Sequence, residues 1–113
     1  MSYGVVHLPW YATGFRGDDL EAALSKLAPI SLRYGATRYE VFRSRDDRYK
    51  FLTSFEFEDK SGWDAFWFGA EFTDMRTACS SWFTVPLLYN WQDSVAFGAL
   101  KREEALVGDD ELR

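Results

Sequence analysis

An α+β sandwich in the order strand, helix, strand, strand, helix, strand is the fold class this sequence predicts. Residues 37–58, TRYEVFRSRDDRYKFLTSFEFE, read as a β-hairpin. From Tyr49 its second arm alternates strictly, with Tyr49, Phe51, Thr53, Phe55 and Phe57 on one face and Lys50, Leu52, Ser54, Glu56 and Glu58 on the other. The first arm alternates too, with Tyr39 and Val41 opposite Phe42, and the polar run 44–48 between the arms is a turn. Apolar sets at helical spacing lie on either side of this hairpin: Leu20, Ala23, Leu24 and Leu27 before it, Trp63, Phe66, Trp67 and Ala70 after it. Strand-like runs begin and close the pattern.

The first strand spans residues 3–12, with Val6, Leu8, Trp10 and Ala12 on one face and Val5, His7, Pro9 and Tyr11 on the other. Proline cannot donate to a ladder, so the strand needs a free side or a bulge at Pro9. Asp18 is the expected N-cap of the first helix, with Glu21 as its capping-box partner. Pro29 ends or kinks that helix, residues 30–34 add a turn, and Gly35 closes it. Ser61 and Asp64 mark the second helical start. Gly69 weakens its middle before Phe72, Met75 and Cys79 resume the period, which gives one kinked helix or two short ones. The run Leu87, Leu88, Tyr89, Asn90 and Trp91, after Pro86, reads as a last strand ending near Phe97. Residues 1–100 are expected to form the domain, and 101–113 an acidic, flexible tail.

This order is the split βαβ arrangement of a ferredoxin-like sandwich with a four-stranded antiparallel sheet. Right-handed crossovers put both helices on one face of the sheet. Apolar residues occur on both parities of the strands, so the helix-free face would expose a large apolar patch unless a second subunit covers it.

At 113 residues the chain fits one domain that buries its own core. Aromatic residues make up 19% of it, five of them Trp, more than one small core needs, so some should meet a partner or line a pocket. A net charge of −5 opposes nucleic acid as a partner. Five of the ten basic residues before Lys101 (Arg38, Arg43, Arg45, Arg48 and Lys50) nevertheless fall in the hairpin, either as a solvated edge or as a local basic strip. The lone Cys79 excludes an internal disulfide and Cys-based metal motifs, which suits a cytoplasmic location. No apolar run approaches the roughly 18–20 residues a membrane span requires. Gly-rich phosphate loops, metal-ligand clusters and nucleophile elbows are missing from the sequence, so neither a cofactor nor a metal is expected.

The segments YGATRYEVFRSRDD, KFLTSFEFED, WDAFWFGAEFTDMR and VPLLYNW resemble the dimeric α+β-barrel superfamily, across residues 3–97. That superfamily includes antibiotic-biosynthesis-monooxygenase-like, NIPSNAP-like and EthD-like proteins. The resemblance implies two ferredoxin-like subunits packed sheet against sheet, with a small-molecule pocket between each sheet and its own helices. Haem-degrading members use a His on the second helix, and residues 63–79 contain none. Cofactor-free monooxygenase members oxidise electron-rich aromatic substrates, to which this chain offers aromatic residues and a few polar ones.

His7 is the one side chain with an ordinary pKa near neutrality, so it is the candidate catalytic acid–base; a lone strand His also serves as a hydrogen-bonded structural residue. Tyr11 shares its face and is a ligand candidate with it. Trp67 and Glu71, at i and i+4, would set an apolar wall beside a carboxylate, and Arg76 would frame the pocket mouth; core packing for Trp67 and a surface ion pair for Glu71 and Arg76 are the plainer readings. Asn90 is a polar residue in an apolar run that must be hydrogen-bonded or bind something if buried. Cys79 reads as an inert buried thiol. Together these residues suit a homodimer binding an apolar or aromatic molecule, as a cofactor-independent monooxygenase or isomerase, with a non-catalytic ligand- or protein-binding dimer as the alternative.

Overall fold

The computed structural model describes residues 3–100. Its elements are β1 (Gly4–Tyr11), α1 (Gly17–Leu27) with a 3-10 turn (Ala28–Tyr34), β2 (Ala36–Arg43), β3 (Lys50–Phe57), α2 (Lys60–Trp67), α3 (Ala70–Ala78), a second 3-10 turn (Ser80–Trp82) and β4 (Asn90–Gln92). The sheet order is β2-β3-β1-β4, with each neighbouring pair antiparallel. This is the ferredoxin-like topology that the element order predicts, and its four-stranded sheet is the frame for everything below.

The aromatic face of the hairpin meets the helices. Phe51, Phe55 and Phe57 of β3 join Val6, Leu8 and Trp10 of β1 in one core with Leu20, Leu24 and Leu27 of α1, Trp63 and Phe66 of α2, and Phe72 of α3. Burying a large apolar side chain contributes about 1.5–3 kcal/mol, so this single layer carries most of the stability. The Thr53 hydroxyl on this face is used: Trp10 Nε1 donates to Thr53 Oγ1 at 3.0 Å. The opposite face carries His7, Pro9 and Tyr11 of β1, Leu52, Ser54 and Glu56 of β3, and Phe42 of β2, by the register Pro9–Leu52–Phe42 and His7–Ser54–Glu40.

Helix starts differ from the sequence expectation. Asp18 lies inside α1, and no side chain caps its first turn. The Asp18 carboxylate instead accepts from Arg43 Nη1 at 2.8 Å, and the same nitrogen reaches Glu21 Oε1 at 2.9 Å. A guanidinium is a stronger donor than a neutral backbone N–H, so β2 takes the two carboxylates that a capping box would have used. It also holds the Asp18 carboxyl below the usual carboxylate range, chiefly by that hydrogen bond. The cap of α2 is Asp59, accepting from Ser61 N at 3.1 Å, rather than Ser61 or Asp64. Asp64 pairs with Lys60 at 2.9 Å.

Gly69 does split the second helical region into two short helices. A Cβ there would stand 2.6 Å from the Tyr34 hydroxyl and 2.9 Å from the Ala65 carbonyl, so the break is where Tyr34 packs in.

The last strand is much shorter than expected: only Asn90–Gln92 pairs with β1, opposite Val5 to His7. Pro9, without an N–H, pairs with β3 alone. Beyond it the β1 end is taken by residues before Pro86, through the Ala12–Phe83 bridge and Thr84 N donating to the Tyr11 carbonyl at 2.9 Å. Leu88 and Phe97 are exposed, and residues 93–100 form no element. The expected tail at 101–113 lies outside the described residues. No helix among those residues is long and apolar enough to cross a membrane.

Candidate functional site

Trp63, Phe66 and Trp67 share one side of α2 through their i, i+3, i+4 spacing, and Phe72 on α3 faces them. Trp63 is fully buried at the centre. Its ring lies 5.7 Å from Phe55, 5.5 Å from Trp67, 6.1 Å from Phe72 and 5.0 Å from Tyr89, centroid to centroid. Tyr89 enters from the segment leading into β4 and also touches Trp67 at 5.2 Å. The apolar run that signalled a last strand thus supplies a wall of this cluster.

Arg76, one turn beyond Phe72, lays its guanidinium over two rings, 3.9 Å from the Trp67 centroid and 4.7 Å from that of Phe72. Its Nη2 donates to the Trp67 carbonyl at 2.8 Å, one of the acceptors left over at the end of α2. Burial lowers its pKa from the ordinary guanidinium value, though guanidinium stays charged. Among the described residues two donors in the cluster have no acceptor: Trp63 Nε1 and Arg76 Nη1 are both buried without a hydrogen-bond partner. A buried donor left unmade costs roughly 1–3 kcal/mol, more when charged, so such a pair calls for an acceptor.

Glu71 does not pair with Arg76. Its Oε1 accepts from the Tyr34 hydroxyl at 2.6 Å, and Arg33 stands 3.8 Å from Oε2. The Tyr34 hydrogen bond holds the Glu71 carboxyl below its usual range and, for the same reason, raises the phenol. Tyr34→Phe is therefore expected to move the Glu71 titration upward toward the ordinary carboxylate range, read by NMR of its side-chain carboxyl. By sign, a carboxyl depressed on folding stabilises above the unfolded pKa and loses that contribution as pH falls through the folded one. Tyr34→Phe should flatten that part of the acid limb.

The sequence-predicted site residues divide across the sheet. Trp67, Glu71 and Arg76 lie on the helix side, whereas His7, Tyr11 and Asn90 lie on the helix-free face, with Asn90 opposite His7 in the β1–β4 register. The sheet itself stands between the two sets, so these six candidates do not gather in one place. His7 is half-buried there, and Asn90 is exposed rather than a buried amide. The Tyr11 hydroxyl donates to Asp47 Oδ2 at 2.8 Å and so belongs to the hairpin turn. Cys79 is buried, which pushes its thiol up, as expected of an inert one.

Sequence reasoning missed Trp63, Tyr34 and Tyr89 as site residues. The signal for Trp63 and Tyr89 was the aromatic excess; Tyr34 sits in a turn with nothing to mark it. Side chains fill the space between sheet and helices, with Phe51, Phe55, Phe57, Trp63, Phe66 and Phe72 all buried. Among the described residues no three His, Cys, Asp or Glu side chains gather as a metal site.

Solved structures share this architecture. One, from Nitrosomonas europaea and provisionally described as an antibiotic biosynthesis monooxygenase, matches with a TM-score of 0.76 and 15% identity over 86% of this chain and 94% of its own. SnoaB from Streptomyces nogalater, described as a cofactor-independent oxygenase, matches with a TM-score of 0.74 and 14% identity over 86% and 97%. The fold is that of antibiotic-biosynthesis-monooxygenase-like proteins. A Mycobacterium tuberculosis protein has it too, at a TM-score of 0.74 and 13% identity over 87% of this chain and 100% of its own. No family model matches the sequence, and neither does any curated protein. The monooxygenase-like fold therefore rests on three-dimensional likeness, and activity must be argued from the site.

Proposed function

We propose that the protein is a homodimer, paired through the helix-free faces of its sheets, that binds an oxygen-bearing aromatic molecule and oxidises it with O2 without a cofactor. The observation that carries the binding site is the pair of buried, unpartnered donors, Trp63 Nε1 and Arg76 Nη1, within one aromatic cluster. A phenolate or ketone oxygen would supply an acceptor there, and Trp67 and Tyr89, each half-buried, would give way to admit a flat ring. Beside Arg76 a phenol favours its anion, and an electron-rich ring anion reduces O2 directly. A ring CH2 and O2 then become C=O and water, with one oxygen atom in each. SnoaB's description as a cofactor-independent oxygenase supports this reading.

In the proposed dimer His7, Tyr11 and Asn90 serve subunit pairing, not chemistry. A cytoplasmic setting suits the lone buried Cys79. The second reading, a non-catalytic dimer, draws on the filled interior between sheet and helices. Oxygen uptake with quinol- and anthrone-type polyketides separates the two. Uptake should fall roughly ten- to hundredfold in Arg76→Leu, the worth of a charged hydrogen bond, and stay unchanged in His7→Ala. No uptake and no change in tryptophan fluorescence with any of them would leave the non-catalytic dimer.

A further inference from the structure

Tyr89 joins the aromatic cluster from residues 85–89, a segment in neither helix nor strand. Both ends of this segment are tied down. Thr84 donates from its N–H and from Oγ1 to the Tyr11 carbonyl, at 2.9 and 3.0 Å, and Asn90–Gln92 pair with β1. Between those ties, no backbone hydrogen bond among the described residues holds 85–89. Val85 and Leu88 are 72% and 69% exposed, and the half-buried Leu87 and Tyr89 are the side chains that pack on the core. Pinned ends, an unbonded backbone and two half-buried anchors make a strap that opens locally. Moving α2 instead would break the bond from Arg76 to the Trp67 carbonyl and uncover the fully buried Trp63.

We propose that Tyr89 is an internal plug of the aromatic site, and that the strap of residues 85–89 swings outward between Thr84 and Asn90 to exchange it for the ligand. The proposal rests on the binding site read above. Tyr89 sets a phenol ring edge-on against both indoles, at interplanar angles of 66° to Trp63 and 63° to Trp67, as an incoming aromatic ring would. It does not serve the polar part of the site: with the strap closed, Trp63 Nε1 and Arg76 Nη1 still have no acceptor. A ligand that brings a ring together with an oxygen displaces the plug through its hydrogen bonds to those donors. That is the differential affinity a shift from closed to open requires. Lys60 Nζ, 5.9 Å from the Tyr89 ring centroid, adds a cation–π contact that favours the closed state.

A plug and a wall predict opposite effects. A Tyr89 that lined the pocket would strengthen binding, so its removal would weaken the complex. A plug competes with the ligand, and its removal tightens the complex because apparent affinity scales with the open fraction.

Two readouts test this, on variants whose folding is checked by circular dichroism. The first is NMR exchange of the buried indole N–H groups in the ligand-free protein. Trp63 Nε1 has no partner and lies against Tyr89, whereas Trp10 Nε1 is bonded to Thr53 and reports global unfolding. Trp63 should exchange at least tenfold faster than Trp10. Leu87→Ala, which removes an anchor of the strap, should widen that ratio, and Leu88→Ala, exposed on the same strap, should leave it unchanged. The second readout is calorimetric binding of para-nitrophenol, a flat ring with one ionisable oxygen. Tyr89→Ala should bind it about tenfold more tightly than the parent, and Arg76→Leu at least tenfold more weakly. Equal exchange of the two indoles in the parent and in Leu87→Ala, or weaker binding by Tyr89→Ala, overturns the plug; the site itself stands as long as Arg76→Leu weakens binding. No binding, or binding indifferent to Arg76, overturns the site reading and the plug with it.

Discussion

Trp63→Ala is expected to destabilise the protein by about 3–5 kcal/mol, measured as a fall in the urea midpoint at unchanged slope. Trp63 has no exposed surface and packs against Phe55, Phe57, Phe66, Trp67, Phe72 and Tyr89, so truncation opens a cavity that β3, α2 and α3 all border. Rigid rings on every side limit collapse into it, which puts the loss toward the upper part of that range. Trp63→Phe is the informative partner. It removes the unpartnered Nε1 along with some ring volume, so the lost packing is offset by relief of a buried, unsatisfied donor. A cost below about 1.5 kcal/mol is expected for it. If the donor exists to meet a ligand, Trp63→Phe should weaken ligand binding while the fold remains near parental stability. A cost for Trp63→Phe as large as that for Trp63→Ala would mean that Nε1 is satisfied and that the site argument fails.

The contrast with Trp10 shows why this donor was not legible in the sequence. Both are buried tryptophans, but Thr53, two residues from Phe51 and Phe55 on the same face of β3, meets the Trp10 indole. Alternation places Thr53 on the helix side, and its hydroxyl reads as a defect there until the packing supplies a donor. Nothing in the spacing of α2 says that Trp63 lacks such a partner.

Periodicity did settle the large features. Alternation gives β3 one aromatic face, and helical spacing puts Trp63, Phe66 and Trp67 on one side of α2. Which sheet face meets the helices is left open by the sequence and is answered by the packing of Phe51, Phe55 and Phe57 against them. What periodicity could not reach was competition between partners: Arg43 taking Asp18 and Glu21 from the cap, or residues 83 and 84 taking the end of β1 and leaving β4 three residues. The candidate site split for a related reason. Trp67, Glu71 and Arg76 were placed by helix spacing, His7, Tyr11 and Asn90 by strand parity, and only the sheet's orientation relates the two sets.

Ser54→Arg is expected to convert the proposed dimer into a monomer. Ser54 is 3% exposed on the helix-free face, in the row with His7 and Glu40, so an arginine there is too long for the space the serine fills and stands out of the sheet into the face that the proposed partner would cover. Across a two-fold axis at that row the substitution brings two cations together, adding repulsion to the lost fit. A loss of about 2–4 kcal/mol, the scale of a central interface residue, corresponds to roughly 30- to 1,000-fold in the dissociation constant. Thermal unfolding gives a readout independent of sedimentation. When association is linked to folding, the midpoint rises with protein concentration, and a monomer shows no such rise. The parent should show the rise and Ser54→Arg should not, while added salt should recover part of the variant's association by screening the paired charges. A parent midpoint that stays flat over a hundredfold range of concentration would remove the dimer, and with it the reason for an apolar face on both sides of this sheet.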